Sequence, residues 1–169
     1  MRLVIAQTWD HGAVGDAEQV TVSLADVGDF LAVTVDAPSH GDPAPAGPPR
    51  STPGLWAHEV VELMLLGDDD RYLEVELGPY GHFLVLELHG ERAVVRQGLP
   101  LDYDVVREGG RWRGHARIPK AWLPPGCDRV NAFAIHGQGD DRRHLAWRPA
   151  GGEKPDFHRL EAFGALALG

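Results

Sequence analysis

Cysteine is nearly absent: Cys127 is the one thiol in 169 residues. A single thiol excludes an intramolecular disulfide and any zinc site built from clustered cysteines. Basic residues are also few. Sixteen Lys and Arg stand against 25 Asp and Glu, a formal net charge of −9. Such a surface repels phosphate backbones and argues against nucleic-acid and anionic-membrane partners. Long apolar runs are missing, and none approaches the ~20 residues of a membrane span. The opening Met1-Arg2-Leu3-Val4-Ile5-Ala6-Gln7-Thr8 has too short an apolar part for a signal peptide and no small-residue cleavage site. Together with the lone thiol, this points to the reducing cytoplasm. No nucleophile elbow, phosphate loop or dinucleotide fingerprint occurs. No stretch keeps a long 3.6-residue period.

Glycine and proline, by contrast, are plentiful, at 21 and 13. They cut the chain into short segments that mostly alternate. Expected strands are Met1–Thr8, Val20–Ala25, Phe30–Asp36, Val60–Leu66, Tyr72–Leu77, His82–His89, Arg92–Arg96, Tyr103–Glu108, Trp112–Ile118, Val130–His136 and His144–Trp147. Gly67-Asp68-Asp69-Asp70 and Gly109-Gly110 read as hairpin turns. Pro38–Pro53 reads as a long surface loop. Single helical turns are expected within Pro119–Gly126 and at Arg159–Ala162. Many short strands with frequent turns predict an all-β antiparallel sandwich, jelly-roll or immunoglobulin-like, with little helix. The length suits one domain over residues 1–169.

Alternation sorts the side chains by face. Val61, Leu63 and Leu65, then Leu73, Val75 and Leu77, then Leu84, Leu86 and Leu88 form three apolar sets expected to share the core. Phe133 and Ile135 read as core too, which turns Ala132, Ala134 and His136 the other way. The opposite face then carries Glu62, Glu74 and Glu76 with Tyr72 and Phe83. Two readings fit it. One is cross-strand ion pairing, at roughly 0.2–1 kcal/mol per pair. The other is a concave polar groove with an aromatic wall, suited to a sugar-like ligand.

Leu55-Trp56-Ala57-His58-Glu59-Val60-Val61-Glu62-Leu63-Met64 and Pro155-Asp156-Phe157-His158-Arg159-Leu160-Glu161-Ala162-Phe163-Gly164 carry a resemblance. They resemble the family 9-like carbohydrate-binding modules, within the DOMON-like β-sandwich group. Trp112–Pro119 and Asn131-Ala132-Phe133 fit the later strands of those modules. Small free-standing members of the group are similar over Glu76–His82, Ala134–Gly137 and Pro155–Glu161. The resemblance implies a non-catalytic domain that binds a carbohydrate or similar polyhydroxylated small molecule. Trp56 and Phe157 would sandwich a sugar, and Glu62 would bond its hydroxyls. Where the modules carry Arg, Asn or Gln, this chain has Glu74, Glu76 and Phe133. A different ligand therefore stays open.

Trp56, Glu62, Glu74, Glu76, His136, Phe157 and His158 are thus the candidate ligand-binding residues. The two histidines lie in the specific runs. Each candidate also has a plain structural reading: Trp56 as loop packing, Phe157 as a loop anchor, the histidines as hydrogen-bonding groups. A hydrolase would need a carboxyl pair roughly 5–10 Å apart, which Glu62, Glu74 and Glu76 can supply from neighbouring strands. A protein-interaction domain using the groove or the Pro38–Pro53 loop is a third reading. No catalytic residue, cofactor or metal set is assigned. Related modules carry structural calcium, and the carboxylates of Asp68, Asp69 and Asp70 are of the right type for it, although a turn explains them equally.

Overall fold

The computed structural model describes residues 1–168. Strands form wherever short alternating runs are bounded by turn residues. They are β1 (Arg2–Ile5), β2 (Gln7–Thr8), β3 (Val20–Val27), β4 (Phe30–Pro38), β5 (Val60–Leu66), β6 (Arg71–Leu77), β7 (Phe83–His89), β8 (Val94–Gln97), β9 (Asp102–Glu108), β10 (Arg111–Pro119), β11 (Arg129–His136), β12 (Arg143–Ala146) and β13 (Gly164–Ala165). The helical segments are 3-10 turns of three residues, as at Leu55–Ala57, Lys120–Trp122 and Leu160–Ala162. No described helix is long and apolar enough to cross a membrane.

Two antiparallel sheets result, so the expected all-β sandwich is present. One runs β1-β3-β4-β10-β9. The other runs β2-β12-β11-β5-β6-β7-β8, with β13 beside β11. The segment expected as one strand, Met1–Thr8, splits: β1 joins the first sheet and β2 the second. Between the sheets lies the main core. Val22, Val33, Val35 and Trp112 enter it from one side, and Val61, Leu63, Leu73, Val75 and Ala134 from the other.

A second apolar layer covers the outer face of the larger sheet. Met64, Tyr72, Leu84, Leu86 and Phe133 pack there beneath Leu55, Phe157, Leu160 and Phe163. This layer overturns two expectations. Leu84, Leu86 and Leu88 do not join the sandwich core. The β6–β7 register pairs Val75 with Val85 and Glu76 with Leu84, so Val85 points inward and the three leucines outward with the glutamates. On β11, Ala132 and Ala134 face the core, while Phe133 and Ile135 face out. In both cases the cause is burial on both faces. Every residue of β5 is buried, and Leu84, Val85 and Leu86 of β7 are buried in succession. A strand covered on both sides loses the apolar–polar alternation that reports its parity. The small alanines suit the interior because Trp112, 2% exposed, already fills the space between the sheets; Ala134 and Trp112 line the same narrow gap there.

Candidate functional site

The outer layer leaves an opening of about 320 Å³ over β5, β6 and β7. That lies at the lower end of the roughly 300–1,000 Å³ typical of small-ligand sites. Trp56, Glu62, Glu74, Arg92, Phe157 and His158 line it, together with Leu86, Leu88, Ile135 and His144.

Trp56 sits at the rim on the Leu55–Ala57 turn. Gly54 precedes it at φ 78°, a left-handed conformation that glycine adopts without a Cβ penalty. Leu55 is fully buried in the outer layer and anchors the turn, whereas Trp56 remains 51% exposed. Arg142, at the β11–β12 hairpin, ties the turn down. Its guanidinium donates to Trp56 O, to Ala57 O at 3.2 Å and to Gly137 O at 3.0 Å. The turn thus holds an exposed indole at the rim of the opening.

The opposite wall comes from the C-terminal segment. Phe157 stacks on Phe133 with ring centroids 4.1 Å apart and planes 11° from parallel. Beside it, His158 Nδ1 lies 2.6 Å from the Tyr72 hydroxyl. That hydroxyl accepts the Arg92 backbone N–H at 3.0 Å. Burial, helped by the Arg92 charge, lowers the His158 pKa to about 4. The imidazole is therefore neutral near pH 7, and the contact is satisfied when Tyr72 O–H donates to Nδ1. Burial likewise raises Tyr72 to about 12, keeping its proton in place. Asp156 fixes the segment, accepting from Arg92 at 2.6 Å and from the His158 backbone N–H at 3.1 Å.

Glu62 and Glu74 lie on the floor of the opening, and Glu76 is buried beside them. Pairing across the hairpin sets Glu62 opposite Glu76, with Glu74 opposite Met64 two residues along the same face. All three are buried, Glu76 completely. One oxygen from each lies within 4.8 Å of the other two. Burial raises all three carboxyl pKa values. Mutual repulsion adds to the rise at Glu62, which faces Glu74, and at Glu76, which faces both. The Trp56 backbone amide offsets part of the shift at Glu76 without forming a hydrogen bond of ordinary geometry.

The chain is 41% identical over 177 residues to the UPF0462 protein C4orf33 homologue of Danio rerio, covering 99% of this chain and 89% of that one. Against the Mus musculus homologue it is 42% identical over 172 residues, with 96% and 89% covered. Against the Homo sapiens protein it is 41% identical over 172 residues, with 96% and 86% covered. The chain belongs to the UPF0462 family. No protein-family model matches it. This UPF0462 chain shares its fold with a crystal structure described as a "putative carbohydrate-binding protein" from Bacteroides uniformis. The TM-score is 0.77 at 16% identity, over 100% of this chain and 86% of that one.

Within the UPF0462 chain the structure gathers Trp56, Glu62, Glu74, Phe157 and His158 around one opening, with Glu76 beside the other two carboxyls. His136 lies elsewhere. Its Nε2 is 2.9 Å from Glu18 and its ring stacks on His40 at 3.5 Å. It shares the parity of Ala132 and Ala134, so the β11 correction removes it from the pocket face. Phe157 is 9% exposed and packed on Phe133, so it forms a wall rather than an open plate. Asp68, Asp69 and Asp70 form an exposed turn and do not bring three ligand atoms together, whereas the three glutamates do. Sequence reasoning missed Arg92, His144 and the pocket-facing Leu86 and Leu88. The correct parity of β7 would have exposed the leucines. Arg92, at φ 58° in the turn after β7, carries no such signal. Cys127 is no nucleophile candidate, because burial and nearby Asp128 push its thiol up to about 11.

Proposed function

We propose that this opening binds a carbohydrate or similar polyhydroxylated small molecule without transforming it. The observation that carries the reading is Trp56: a half-exposed indole, held by a clamped turn over a cavity with a carboxyl floor. Sugars present an apolar C–H face and a rim of hydroxyls. Trp56 would stack on the face, and Phe157 would close the far side. Glu62 and Glu74 would meet the hydroxyls, since a carboxyl pairs with a hydroxyl whether ionised or protonated. Neutral His158 would add a further polar contact. The fold shared with the Bacteroides uniformis protein supports the same class of ligand.

Observation of the Trp56 indole during titration with mono- and oligosaccharides tests this. A saturable shift of that signal, reproduced in tryptophan fluorescence, is the expected result. A signal unmoved by every sugar at saturation would contradict the reading.

A further inference from the structure

We propose that Glu62, Glu74 and Glu76 together bind one hard divalent cation, Ca²⁺ or Mn²⁺, in the pocket floor. This goes beyond the sugar reading and does not depend on it. Geometry comes first. One oxygen from each of the three side chains lies within 4.8 Å of the other two. Ligand oxygens at roughly 2.3–2.6 Å from a Ca²⁺ ion are at most about 5 Å apart, so the three fit around one ion.

The second observation is independent of that spacing. Both oxygens of Glu76 and Oε2 of Glu74 are buried and make no hydrogen bond of ordinary geometry among the described residues, although the Glu74 and Glu76 carboxyls are close enough to share a proton. Buried acceptors are almost always paired, and buried charges are paired or coordinate metals. The cationic side chains whose charge reaches the cluster, Arg92 and Arg142, are committed elsewhere. Arg92 pairs with Asp156, and Arg142 binds three backbone carbonyls.

The donor set selects the ion. Three carboxylates without sulfur suit Ca²⁺, Mn²⁺ or Mg²⁺ rather than a thiophilic metal, and Mg²⁺ suits them least because it demands near-ideal octahedral geometry and gives up its waters reluctantly. Glu62 and Glu74 line the open pocket, which provides an entry path and leaves coordination positions on that side.

Calorimetric titration of the chelator-treated, desalted full chain with CaCl₂ and, separately, MnCl₂ tests the proposal. A second readout is Mn²⁺ broadening of the Trp56 indole NMR signal. One-to-one binding is expected, with indole broadening. Affinity should fall on the order of tenfold or more in Glu76→Gln and stay unchanged in Asp69→Asn. Absence of binding at millimolar cation overturns the proposal and means that protons alone neutralise the cluster. Binding that survives Glu76→Gln, or broadening confined to the Asp68–Asp70 turn, overturns it as well. Should Glu76→Gln fail to fold by circular dichroism, broadening in the unmodified chain decides. Sugar titrations run in chelator keep the two readings separate.

Discussion

His158 sits where burial outweighs its neighbours. The carboxylate of Asp156 favours its charged form, but desolvation and the Arg92 guanidinium prevail, and its pKa falls to about 4. The ordinary value is 6.5. Between the two, the folded chain binds fewer protons at this site than the unfolded chain. The resulting stability is fully present above pH 6.5 and is lost as pH falls through the window toward 4. The buried glutamates give the opposite slope above their ordinary 4.5, so the imidazole itself must be followed. An NMR titration of His158 is expected to show a midpoint near 4; a midpoint near 6.5 would mean the ring is solvated. Trp56 is the contrasting case. It is 51% exposed and uses its backbone, not its ring, to hold Arg142. Trp56→Ala should therefore change stability by no more than about 0.5 kcal/mol in urea unfolding while abolishing ligand recognition. That Trp56, Glu62, Glu74, Phe157 and His158 line one opening was legible in the sequence: Glu62 and Glu74 by their shared strand parity, Trp56, Phe157 and His158 by the runs that carry the resemblance. His136 misled because it sits in such a run on the wrong side of its strand.

Strands tell the same story at larger scale. β5 and β6 were placed within a residue of their bounds because Gly67 and the three aspartates punctuate them. Gly67 must also stay small: a Cβ there would stand 2.2 Å from Pro125 O. The parity of β7 and β11 was not legible, since both faces of each strand carry apolar side chains and nothing local distinguishes a sandwich core from a covered outer face. The segment that breaks the tie, Pro155–Phe163, lies some twenty residues beyond β11 and far from β7 in the chain. Ala134 tests the corrected parity. In the sandwich interior, Ala134→Leu overpacks against Trp112 and should cost about 1–3 kcal/mol, read as a lower urea midpoint. A neutral result would place Ala134 on the pocket face.

The whole molecule is a two-sheet sandwich with a third layer laid over one sheet by its own C-terminal segment. Phe157, Leu160 and Phe163 are buried in that layer. Removing residues 155–168 would bare the leucines of β7 and the phenylalanine of β11. The truncated chain is expected to bind the apolar dye ANS strongly and to lose any ligand affinity; a well-behaved truncation that still binds would show that the segment is not part of the site. The same layer converts a sheet face into a pocket, because it walls off the carboxyl floor while leaving Trp56 at the rim. Calorimetric titration of the full chain with a panel of mono- and oligosaccharides, beside Trp56→Ala, addresses that architecture directly. Saturable heat from at least one sugar, lost in the variant, is the predicted result. Silence across the panel, or binding unaffected by Trp56→Ala, would contradict it.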